Sequence, residues 1–109
     1  MLKKKEERKM FDFEVNKNAD EVDVILKGRL DATVAPQLHE EMAKLAGQGI
    51  KKVTFQVKEL EYIASAGLRV IIFAKQKLGA DTQIFMKDVN DDVMQVLEMT
   101  GSSNFVTVI

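Results

Sequence analysis

Hydrophobic and polar positions along the chain change period several times, and each change marks an element. Phe11, Phe13 and Val15 alternate with Asp12 and Glu14, the period-two pattern of a half-buried strand. Asn16, Lys17, Asn18, Ala19 and Asp20 supply turn chemistry, and residues 22–26 form a second strand hairpinned on the first and closed by Gly28. Thr33 is a candidate helix N-cap, with Pro36 tolerated in the first turn. Val34, Leu38, Met42 and Leu45 then recur at helical spacing, and Gly47 and Gly49 end that helix. Val53, Phe55 and Val57 alternate again as a third strand. A second helix is predicted over residues 66–78, ended by Gly79, and a fourth strand over residues 82–86. Asn90 caps a third helix with Val93, Val96 and Leu97 on its apolar face; Gly101 closes it, and residues 105–109 make a last short strand.

The order is β-β-α-β-α-β-α-β. Strands joined through helices pair in parallel with right-handed crossovers, whereas the first two pair antiparallel. The expected fold is therefore α/β, one domain with a mixed four- to five-stranded sheet and three helices. A charged tail over residues 1–10 precedes a domain over residues 11–109.

Composition narrows the function. With 109 residues and 46% hydrophobic content the chain can bury one core, and without Trp that core is aliphatic with some Phe. Six dispersed methionines read as core fillers. A net charge of -1 argues against nucleic acid as a partner. The basic run Lys3, Lys4, Lys5, Arg8, Lys9 is interrupted by Glu6 and Glu7 and reads as a solvated tail. No apolar run approaches the roughly 20 residues that span a bilayer, and no signal-peptide segment is seen. The expectation is a soluble, cytoplasmic protein with no membrane contact.

Candidate chemistry is sparse. The absence of cysteine excludes disulfides, zinc–thiolate sites and thiol nucleophiles. His39 is the single histidine and is expected to face solvent. Neither standard phosphate-cradling loop is present. Asp91 and Asp92 sit where acids complement a helix dipole, a structural role. No cofactor or metal and no catalytic residue is expected.

Ser65 stands apart. It lies where strand pattern gives way to helix, ahead of Ala66, Gly67 and Leu68. Read alone, it fits an N-cap whose oxygen accepts from a free backbone N–H. The same free N–H groups favour an anion, so a phosphate on Ser65 would be tolerated by the helix while repelling an apolar or acidic partner. The helix that follows is apolar almost throughout residues 68–74. It is either well covered by neighbours or partly a surface for another protein, and it leaves a weak homodimer open.

Gly28-Arg29-Leu30-Asp31, the helix from Thr33, and Tyr62-Ile63-Ala64-Ser65-Ala66-Gly67-Leu68, in this element order, resemble the STAS domain of bacterial anti-sigma factor antagonists. The resemblance covers residues 11–109 and implies a binding protein, not an enzyme. Members bind an anti-sigma factor that is also a serine kinase, which releases the sigma factor. The kinase phosphorylates a serine at the start of the second helix, the complex dissociates, and a PP2C-type phosphatase restores the serine. The matching serine is Ser65, and Asp31 matches an acidic residue near it. The resemblance implies a partner face of Asp31, Thr33, Ala64, Ala66, Gly67, Leu68 and Ile71. The family motif often reads D-S-[ST]-G-L, and Ala64 and Ala66 depart from it. A strand motif L-D-L-S is here Phe55-Gln56-Val57-Lys58, so two carboxylates expected near the serine are missing, at Gln56 and Ala64. Two further readings stay open. One is a constitutive, unphosphorylated STAS subunit, for example of a transporter ATPase, with Ser65 only a cap. The other is a nucleotide-binding protein.

Overall fold

A computed structural model describes residues 11–79 and 81–109. The predicted tail over residues 1–10 lies outside the described residues. The elements are β1 (Phe11–Asn18), β2 (Glu21–Leu30), α1 (Ala35–Lys44), β3 (Lys52–Ile63), α2 (Ser65–Leu78), β4 (Gln83–Lys87), α3 (Asp91–Met99) and β5 (Thr107–Val108). One five-stranded sheet runs β1-β2-β3-β4-β5. The first pair is antiparallel and the other three are parallel, so the mixed α/β architecture matches the expectation.

Alternation sorts the sheet into two faces. Val15 pairs with Val24, Val24 with Phe55, and Phe55 with Met86, which puts one apolar row on one face. Leu38 and Met42 of α1, Leu68 and Ile71 of α2, and Val93 and Leu97 of α3 join this row in a single core. The opposite face carries Asp23, Lys27, Lys52 and Lys87 and has no helix in the core cluster. Phe55 is the largest side chain sealed completely inside.

Several boundaries differ from the sequence expectation. The β1–β2 turn is only Ala19 and Asp20, because Asn18 still pairs with Glu21. Gly28 does not close β2. The strand continues to Leu30, and Gly28 has φ 91° beside a register shift, a backbone state that glycine takes at little cost. β3 is much longer than residues 53–57. Two one-residue shifts against β2 move its inward positions to Val57, Leu60 and Ile63, a spacing that hides the strand from a period-two reading. The last strand shrinks to two residues after a 3-10 turn at Ser102–Asn104, and Phe105 is exposed. Met42 and Met86 are core fillers as expected, but Met99 is on the surface.

Asn90 caps α3 as predicted. Its Oδ1 accepts from the Val93 N–H at 2.8 Å, and its Nδ2 donates to the Leu60 carbonyl at 2.8 Å, which ties α3 to β3. Asp91 and Asp92 occupy the first turn of α3.

Gly67 fixes the seat of α2. A Cβ there would lie 2.6 Å from Leu30 Cγ and 3.1 Å from Ile63 Cγ1. Both neighbours are buried at the ends of β2 and β3. Gly67→Ala gains about 1 kcal/mol of helix propensity but overpacks this contact by roughly 1–3 kcal/mol. The expected net result is a lower urea midpoint. Leu30→Ala in the same chain should make Gly67→Ala less costly in a double-mutant cycle. Additive losses would show that the contact is not limiting.

Candidate functional site

β2 and β3 are neighbours and run parallel, so their C-terminal ends lie side by side. β2 leads into residues 31–34, and β3 leads through Ala64 into α2. The Ala64 N–H donates to the Leu30 carbonyl at 2.9 Å and joins the two exits. This is how the strand exits that lead to Asp31 and to Ser65 come side by side although 34 positions separate the two residues in sequence.

Ser65 is not the cap of α2. The cap position is Ala64, whose extended backbone starts the helix without a side-chain hydrogen bond. Its carbonyl accepts from the Leu68 N–H at 3.0 Å, the first turn of the helix. Ser65 is the first helical residue, and its side chain is exposed. Among the described residues its hydroxyl makes no hydrogen bond. The cap reading fails because the helix starts one residue earlier, which gives the cap position to Ala64 and makes Ser65 part of the first turn.

Thr33 is not the cap of α1 either. That position is Val34, with Pro36 in the first turn. Asp31 does the work instead. One of its carboxylate oxygens accepts from the Thr33 hydroxyl at 2.6 Å and from the Thr33 N–H at 3.0 Å. Its carbonyl accepts from the N–H groups of Val34 and Ala35 at 3.2 and 3.0 Å. An aspartate that satisfies the backbone two residues on is a standard loop-fixing device. The Thr33 hydroxyl, first, and the Thr33 N–H hold the Asp31 carboxyl below the usual aspartate range, with a smaller contribution from the Arg29 charge; partial desolvation opposes them.

The expected partner face divides in the structure. Asp31 and Ala64 are half-buried, Thr33 is exposed, and Ala66 is half-buried. Gly67 is buried against Leu30 and Ile63. Leu68 and Ile71 are 3% and 1% exposed, so their side chains belong to the core and offer no surface. Gln56 is not near Ser65. It pairs with Ile25 and Lys87 on the helix-free face, with roughly 20 Å of strand between it and the exit of β3. A carboxylate at that position would not touch the serine, so of the two absent acids only the one at Ala64 bears on the site.

Three features were not foreseen. The Arg29 guanidinium stacks over the Tyr62 ring at 4.3 Å, on the register pair just before the two exits. His39 does not simply face solvent: it is half-buried, with its ring 4.0 Å from that of Phe73 of α2. A groove of about 570 Å³ runs between α1 and α2, from Ala66 to Phe73. Arg29 and Tyr62 stood inside the recognised motifs, but their pairing depends on the strand register. Among the described residues no group of His, Cys, Asp or Glu could hold a metal, and no helix is long and apolar enough to cross a membrane.

A one-sided mixed sheet with a serine at the strand-to-helix exit defines a small α/β domain. The family model for the STAS domain matches residues 11–109, and the chain belongs to that family. BtrV of Bordetella bronchiseptica, provisionally named an anti-sigma factor antagonist, is 32% identical over 77 residues, 70% of this chain and 66% of that one. The anti-sigma factor antagonist SpoIIAA in its unphosphorylated form superposes with a TM-score of 0.80 at 16% identity, over 90% of this chain and 88% of the other. The phosphorylated form of the Bacillus cell fate determinant SpoIIAA gives 0.72 at 16% identity, over 90% and 91%.

The Asp31 loop makes a pH prediction. A carboxyl whose folded pKa is lowered stabilises the fold above its unfolded pKa, near 3.9, and that contribution is lost as pH falls through the folded value. Thr33→Val removes the hydroxyl donor and should raise the Asp31 midpoint in a ¹³C NMR titration of its carboxyl carbon. An unchanged midpoint would exclude the hydroxyl as the main cause.

Proposed function

We propose that this protein is an anti-sigma factor antagonist that works by reversible binding and not by catalysis. It binds an anti-sigma factor that is also a serine kinase, and phosphorylation of Ser65 ends the complex. A PP2C-type phosphatase resets it. The observation that carries this reading is the state of Ser65: exposed, first in α2, and free of any capping role. A hydroxyl that serves the fold would be engaged. This one is available to a kinase, and its modification breaks no capping hydrogen bond of α2.

Electrostatics supports the direction of the switch. A phosphate adds about -1.5 to -2 charges at neutral pH. It would arrive at the strand exit next to the one that leads to Asp31, whose carboxylate its own loop already holds ionised. The joined negative charge would disfavour an acidic or apolar partner surface, while the free N–H groups of α2 stabilise the phosphate itself. The names of the relatives agree with this reading, and a phosphorylated state is known for SpoIIAA. The partner face is proposed on Asp31, Thr33, Ala64, Ser65 and Ala66, with Gly67 shaping it from beneath. In the alternative of a constitutive subunit Ser65 would be only a cap, and the cap position of α2 is Ala64.

Ser65→Asp should weaken binding to the cognate anti-sigma kinase at least about tenfold, or 1.4 kcal/mol. Ser65→Ala should bind within a few-fold of wild type and resist release by ATP. Isothermal titration calorimetry with and without ATP reads both. Equal affinities for wild type and Ser65→Asp would overturn the switch.

A further inference from the structure

The groove between α1 and α2 is left unexplained by phosphorylation. Its lining includes the small residues Ala32, Ala35 and Ala66, which leave room beside the two helices. Phe73 of α2 supplies half-buried apolar surface, with the His39 ring packed on it and the buried Val70 behind. The rim is charged: Glu40 on α1 and Arg69 on α2 are both exposed. Arg69 makes no ion pair among the described residues.

Three properties point to one occupant. The groove is open to solvent and lined by residues of two helices, a setting that accepts an apolar face of a helix or short segment. An unpaired guanidinium at the rim of an apolar groove is complementary to a carboxylate, which it can grip with two hydrogen bonds. The groove begins at Ala66, next to Ser65, and Arg69 lies four residues after Ser65 on the same side of α2. Resting on the function proposed above, we infer that the groove seats an apolar segment of the anti-sigma factor partner, and that an acidic side chain of that segment pairs with Arg69.

This arrangement says how a modification outside the groove empties it. A phosphate on Ser65 comes within one helical turn of Arg69. It competes for the guanidinium and repels the partner's acid. Release then needs no rearrangement of the fold.

Photo-cross-linking in the source cells, with the full chain and unmodified Ser65, tests the inference. Pro36→benzoylphenylalanine and Phe73→benzoylphenylalanine place the probe on the two sides of the groove; Pro36 is exposed, so its replacement leaves the core untouched. Thr33→benzoylphenylalanine reports the Ser65 side separately. The expected result is that a groove probe captures an anti-sigma factor on a peptide with an acidic residue among apolar ones. Arg69→Glu should cut that yield at least tenfold, and Arg69→Lys, which keeps the charge but loses the two-pronged grip, should cut it by less. Capture through position 33 alone would overturn the groove and leave the antagonist function standing. An Arg69→Glu yield equal to wild type, or groove adducts only with a second copy of this chain or a small molecule, would likewise overturn it. No anti-sigma factor from any position would overturn both proposals.

Discussion

The first turn of α2 rests on Leu30 and Ile63 with no room for a side chain at Gly67. Much else follows from that contact. Leu30 and Ile63 are register partners at the ends of two adjacent parallel strands. Setting the helix on both of them fixes where α2 begins relative to the loop after β2. With Gly67 turned into the core, Ser65 is left outside, and Arg69, four residues on, is exposed with it. A bulkier residue at position 67 would lift the helix off the strand ends and disturb every relation at the site. The Ala64 N–H bond to the Leu30 carbonyl locks the same junction through the backbone.

The register shifts between β2 and β3 serve this junction. A strict alternation from Val53 would put Ile63 inward and Leu60 outward, leaving a large aliphatic side chain on the open face. The first shift turns Leu60 inward, and the second restores Ile63 to the core and Tyr62 to the surface beside Arg29. Bulges of this kind re-aim side chains near functional positions. Here they let one long strand serve the core along its length and still deliver the chain to Ser65 in the right orientation.

The apolar run of α2 has two causes. Leu68, Val70, Ile71 and Ala74 are buried, because α2 packs on α1 as well as on the sheet and so needs more than a single stripe. Phe73 is only half-buried, meets His39, and continues into the groove. Coverage and open surface thus occur on one helix, a few residues apart.

Much of this was legible from the sequence. Alternation at Phe11–Phe13–Val15 and Val53–Phe55–Val57, helical spacing at Leu38 and Met42, and Asn90 as a cap depend on local periods and local hydrogen bonds, and these act on neighbours in the chain. The element order and the two motifs at Asp31 and Ser65 were readable for the same reason. Other features depend on partners far away in sequence. The inward turn of Leu60 needs the register against β2. The loss of the cap at Ser65 needs the helix start one residue earlier than the pattern suggests. The distance of Gln56 from Ser65 needs the length of β3. The burial of Leu68 and Ile71, the Arg29–Tyr62 stack and the α1–α2 groove need helices placed on the sheet. Side-chain chemistry was set by the sequence itself; which groups meet, and which are left facing water, was decided only when distant segments packed.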